Sequence, residues 1–238
     1  MKKIFMSPFF VPAAFLILWL SFMGTVYYGF PENVLKVTVE GELIENITHI
    51  GYVLLIGMLL VVCDDYKDRI RTWGILLFLA ICALLREEGI QHHLSRTDTT
   101  PFKSRFFLNP NNPLSEKIIF GLVLLVVAGA VAYLAVKYSK HLVGSFFKLN
   151  PVTWSIAVLC TVGVCSKIVD RFPSNWKKAH GGVPLADETY ALCQLVEESG
   201  EMFLPYIAIA ALYQFRLQKH AAELDRDNCV AMALRCFF

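Results

Sequence analysis

Long apolar stretches separated by short polar ones dominate the pattern along this chain. Six apolar runs occupy residues 9–30, 47–63, 73–85, 118–138, 152–169 and 190–215. Apolar runs of this length predict membrane-spanning helices. The reading is an all-α polytopic membrane helical bundle of about six transmembrane helices, one integral membrane domain over residues 1–238. The expected spans are 9–30, 42–63, 73–92, 116–138, 152–170 and 190–215, followed by a short cytoplasmic tail over 216–238. Lys2 and Lys3 precede the first run as they would precede a signal peptide. That run is too long for an h-region, and no small-x-small cleavage site follows, so an uncleaved span is expected.

Composition sharpens this reading. Hydrophobic residues make up 56% of the chain and charged residues 18%, which excludes a disordered chain and an ordinary water-soluble domain. A net charge of +2 gives no argument for a nucleic-acid partner, and membrane lipids are the expected surroundings. Of the seven cysteines, Cys63, Cys82, Cys160, Cys165 and Cys193 lie in or beside apolar runs, and no CxxC occurs. They read as small buried hydrophobes.

Basic residues orient the bundle. With six spans, one side holds both termini together with residues 64–72 and 139–150, and 12 of the 22 Lys and Arg fall there when Lys137, at the end of the fourth span, is included. Every short loop on that side is basic. Both termini are therefore expected in the cytoplasm, and the compact chain suggests a bacterial inner membrane. The opposite side carries two long loops, 89–117 and 170–188. Loops of that length are often functional.

Charges interrupt the apolar pattern in one layer. The third run has 13 residues, a rise of roughly 20 Å against a hydrocarbon core of about 30 Å. Its helix is therefore expected to continue through Arg86, Glu87 and Glu88 toward His92. Counted from the cytoplasmic ends, His49, Glu87 and Glu201 each lie 14 residues along their spans, and Lys167 lies 15. Each count is about 21–23 Å of rise. One turn further out come Glu45, His92, Glu197, Glu198 and Asp170. Four helices thus place ionisable groups at matching depth in the outer leaflet, where such groups are costly without a partner or a role.

Spacing within each helix points the same way. Glu45 and His49 are i,i+4, Glu88 and His92 repeat that spacing, and Glu197 and Glu198 stand four and three residues before Glu201. Carboxylates with neutral imidazoles suit zinc, iron or manganese. The inventory is similar to that of di-iron carboxylate bundles, although those use Glu-x-x-His and here one more residue intervenes. On this reading Glu45, His49, Glu88, His92, Glu198 and Glu201 bind a divalent metal, and Glu87 or Glu197 is the general base. Lys103, Arg105, Lys167 and Arg171 hold an anionic lipid head group, and Arg86 and Asp170 belong to structural ion pairs.

Three function classes compete. The preferred one is a metal-dependent membrane hydrolase or oxidase acting on a lipid or other amphiphile. A proton- or ion-coupled transporter would need polar groups through the cytoplasmic half, and runs two, three and six are almost wholly apolar there. A scaffold or assembly subunit would use the layer as an ion-pair network only. The loop 89–117 is a candidate lid, with basic Arg96 beside Phe102, Phe106 and Phe107. It ends in an Asn109–Pro113 turn, with Ser115 as the expected N-cap of the fourth span.

Overall fold

The computed structural model describes residues 2–29, 42–63, 69–89 and 104–237, with side chains over 4–29, 43–63, 69–89 and 106–223. Eight helices lie in these segments, and no strand occurs among the described residues. They are α1 (Lys2–Phe5), α2 (Phe10–Gly29), α3 (Glu42–Val61), α4 (Ile70–Glu87), α5 (Ser104–Leu108), α6 (Leu114–Phe147), α7 (Pro151–Ala179) and α8 (Asp187–Phe237). The protein is all-α. Four helices, α2, α3, α6 and α7, are long and apolar enough to cross a membrane. The other two long ones, α4 and α8, are those carrying the charged layer: Arg86 and Glu87 on the first, Glu197, Glu198 and Glu201 on the second.

α8 is the axis of the bundle, packing against α7, α3 and α2, while α4 packs on α3. One face of α8 meets α2 and α7 through Phe203, Ile207 and Ala210 against Val11, Phe15 and Val162. The other face meets α3 and α4 through Ala208, Ile209 and Leu212 against Leu55, Leu59 and Ala80. Two glycines set the closeness of the crossings. A Cβ on Gly51 would stand 2.6 Å from Pro205 Cγ, and one on Gly200 would collide with the Ser166 hydroxyl. Small residues at crossings let helix backbones approach, which is how membrane helices gain packing. α6 stands at the periphery, touching α4 and α7 only sparsely, and its apolar side chains are mostly exposed.

Several helix ends depart from the sequence reading. α4 stops at Glu87 rather than running toward His92: Glu88 caps it, and Gly89 takes a left-handed φ of 63°. Glycine at this position ends helices because it adopts that conformation without a Cβ clash. α6 continues through the stretch expected as a loop from 139 to 150, ending only where Leu149 turns to φ 55°. There Asn150 caps α7, its side chain accepting from the Val152 and Thr153 amides, with Pro151 in the first turn. α7 runs past Asp170 and through Pro173 to Ala179, so the loop expected over 170–188 begins only at His180. Ser115 lies inside the first turn of α6, whose N-cap is Pro113. The tail after 215 continues α8 without a break.

Candidate functional site

The layer assembles from four helices. Arg86, Glu87 and Glu88 end α4, His49 lies two turns into α3, Lys167 sits midway along α7, and Glu197, Glu198 and Glu201 follow one another on α8. These positions meet because α8 lies between α7 and α3, with α4 carried on α3. Pro205 contributes locally. It lacks the N–H that would bond the Glu201 carbonyl one turn earlier, and its ring fills the contact with Gly51. The Tyr206 hydroxyl donates to the Ile47 carbonyl at 2.8 Å, fixing α8 against α3 beside the layer.

Glu201 is the centre. Its carboxylate accepts a 2.8 Å hydrogen bond from the Arg86 guanidinium and pairs on its other oxygen with the Lys167 ammonium. One side chain thereby ties α4, α7 and α8 together. Arg86 also stands 3.5 Å from Glu87, and Lys167 stands 4.0 Å from Glu197. His49 Nδ1 lies 3.6 Å from Glu88, linking α3 to the end of α4. The buried Nε2 of His49 has no hydrogen-bond partner among the described residues.

The charges do not balance. Among the described residues, Glu87, Glu88, Glu197, Glu198 and Glu201 face only Arg86 and Lys167 as permanent cations. Glu198 lies within electrostatic reach of Glu201, Glu87, Lys167 and Arg86, yet forms no ion pair or hydrogen bond among the described residues. The acidic surplus therefore concentrates on Glu198 and its neighbours, in surroundings where an uncompensated carboxylate is costly.

Of the other expected site residues, Asp170 lies at the margin of this arrangement, within electrostatic reach of Glu197, and the rest fall outside it. Glu45 is exposed and unpaired among the described residues. Asp170 and Arg171 pair with each other at 3.7 Å, and Arg171 is largely exposed. His92, Lys103 and the Arg105 side chain lie outside the described residues, and with α4 ending at Glu87 the Glu88–His92 pair does not share a helix. Lys167, expected at a lipid head group, is engaged with Glu201 and Glu197. No group of three His, Cys, Asp or Glu arranged to hold a metal ion occurs among the described residues.

Two neighbours were not legible as part of the layer. Tyr52 lies within electrostatic reach of Glu87, Arg86 and Glu201. It stands three residues after His49, on the same face one turn inward, and that spacing was the available signal. Trp19 of α2 donates from Nε1 to the buried Ser199 hydroxyl at 2.9 Å, and Ser199 in turn donates to the Leu195 carbonyl at 2.5 Å. In the opposite half of the bundle the principal buried polar contact between α7 and α8 is neutral: Ser155 donates to Gln214 Oε1 at 2.6 Å.

Of the described loop 104–117, Phe106 is buried edge-on against Phe107 and Phe120, and Asn112 donates to the Phe106 carbonyl at 2.8 Å. This part of the loop is packed onto the start of α6. Comparison with known protein families, with characterised proteins and with solved structures finds no match to this chain, so its function is read from the site itself.

Proposed function

We propose that the protein is a six-span integral membrane protein of a bacterial inner membrane, with both termini cytoplasmic and a cation-dependent enzymatic site in the outer half of the bundle. Six spans require α4 and α8 to cross beside the four apolar helices. Burial supports this for α8, whose Leu195, Met202, Ile207, Ala211 and Gln214 are shielded from lipid by its neighbours. For α4, the uncharged stretch from Thr72 to Leu85 leaves its acidic end at the membrane face.

The observation that carries the reading is the acidic surplus among the described residues: five carboxylates against two cations, with no ion pair on Glu198. A divalent metal (zinc, iron or manganese) would complement such a surplus, with Glu198 of α8 and His49 Nε2 of α3 as donors that would have to draw together around it, since no three such groups stand at metal-holding distance among the described residues. The Arg86–Glu201–Lys167 pairing then serves as the frame, and Glu201 is a framework residue rather than a ligand. Glu88 would orient His49 through Nδ1, as carboxylates orient metal-bound imidazoles. The substrate is a lipid or other amphiphile, because the site opens within the membrane. Zinc would imply hydrolysis, and iron would replace it with oxidation.

A second reading has its own support. Both oxygens of Glu201 are taken by cations from two other helices, as a purely structural lock requires. Substituting Glu198 by Ala separates the two. The enzymatic reading expects a normally folded protein that loses bound metal and turnover. The structural reading expects no metal in either form.

A further inference from the structure

A second cluster lies at the other end of α4. Lys137 of α6 donates to the Thr72 hydroxyl at 3.0 Å and to the Tyr133 hydroxyl at 3.2 Å. Its ammonium stands 5.2 Å from the centroid of the Tyr133 ring and 5.3 Å from that of Tyr138. Tyr138 closes the set through a 2.8 Å hydrogen bond with Thr72. The Arg71 guanidinium of α4 reaches the same Tyr133 phenol. Two cations from two helices thus converge on one phenolic oxygen, and neither has a carboxylate partner among the described residues. Both side chains are exposed.

Depth says what meets them. From Ile118 to Val136 the α6 sequence is uncharged for 19 residues, a rise of about 28 Å. Lys117 and Lys137 therefore bracket the hydrocarbon core of about 30 Å, and Lys137 stands at head-group level. The neighbouring Val136 is 80% exposed, and the α6 face around it is apolar. An anion arriving here comes from the lipid surface.

We propose that Lys137 and Arg71, held on Tyr133 and Thr72, form a binding site for the phosphate of an anionic glycerophospholipid in the leaflet at this end of the bundle. Tyr133, Thr72 and Tyr138 surround the Lys137 ammonium, so its charge and the exposed Arg71 fork are what meet the phosphate oxygens. The ring faces of Tyr133 and Tyr138 hold the ammonium in place. The site needs α6 to span the membrane and is independent of the metal reading of the opposite layer.

The test is native mass spectrometry of the full chain in detergent, titrated with phosphatidylglycerol or phosphatidylcholine. Phosphatidylglycerol should bind with a discrete stoichiometry. Affinity should fall about fivefold in Lys137→Gln or Arg71→Gln and tenfold or more in the double variant, as expected for each lost cation near an anionic surface. Phosphatidylcholine binding should not change. Lys140→Gln removes a cation at the same end outside the cluster and should retain full affinity. If the double variant does not fold, the two single variants and Tyr133→Phe, which keeps both charges and loses the shared oxygen, decide the matter. Equal losses in Lys140→Gln and Lys137→Gln would reduce the effect to diffuse surface charge and overturn the site. Displacement of the lipid by millimolar inorganic phosphate would overturn its assignment to a lipid.

Discussion

Arg86 and Glu201 join the end of α4 to the first third of α8 through a 2.8 Å charge-assisted hydrogen bond, although 115 residues separate them in the chain. Lys167 meets the other carboxylate oxygen, so Glu201 is held from two sides. Replacing Glu201 by Gln should destabilise the detergent-solubilised protein by about 1.5–3 kcal/mol, the usual worth of hydrogen bonds to charged groups. In a double-substitution cycle, Arg86→Gln and Glu201→Gln should couple by about 0.5–3 kcal/mol. Thermal unfolding of the four proteins measures both. Additive effects would mean that the pair does not link the helices.

Glu198 should behave in the opposite way. It sits among carboxylates without an ion pair of its own among the described residues, so Glu198→Gln relieves repulsion. In the metal-free protein the melting temperature should stay level or rise, while the extra stability that added metal gives the wild type, the bound metal and turnover are lost. A fall comparable to that of Glu201→Gln would show that Glu198 is a structural partner.

The two tight crossings make a steric prediction. Gly51→Leu would drive side-chain atoms into Pro205 and Tyr206, and Gly200→Val into Ser166. Overpacking of this kind costs about 1–3 kcal/mol. Gly57 and Gly74, where an added Cβ meets nothing within 4 Å, are the controls. Substitution there by Ala should leave the melting temperature unchanged or slightly higher, since Ala favours the helix.

The layer was legible in the sequence because rise per residue converts chain position into depth. That conversion put His49, Glu87, Lys167 and Glu201 at one level before any packing was known. It does not say which faces meet, so the pairing of Glu201 with both cations, and the isolation of Glu198, came only with the structure. Hydropathy also marks where a helix leaves an apolar medium, not where it ends. Lys140, His141 and Lys148 looked like a loop, yet the stretch lacks a strong helix stop until Leu149 and Asn150. Gly89 was the reverse case, a stop signal passed over because the third run seemed too short to end there. Tyr52 escaped notice because a tyrosine in an apolar run reads as bulk.

The proposed topology is open to a direct check. Reporter fusions truncated after Asn111 should be active outside the membrane, and those truncated after Lys148 inside it. The same orientation should place the Lys137–Arg71 cluster at the cytoplasmic face. Matching signals at the two positions would show that α6 does not cross and would remove the six-span arrangement.

The central claim is that the acidic surplus around Glu198 holds a metal ion, and elemental analysis of the detergent-purified protein tests it most directly. Zinc, iron or manganese should be present at close to one per chain, and lost in both Glu198→Ala and His49→Ala with folding intact. Absence of metal from the wild-type protein, even after reconstitution with each of the three, would contradict the account and leave the layer as an interhelical ion-pair network.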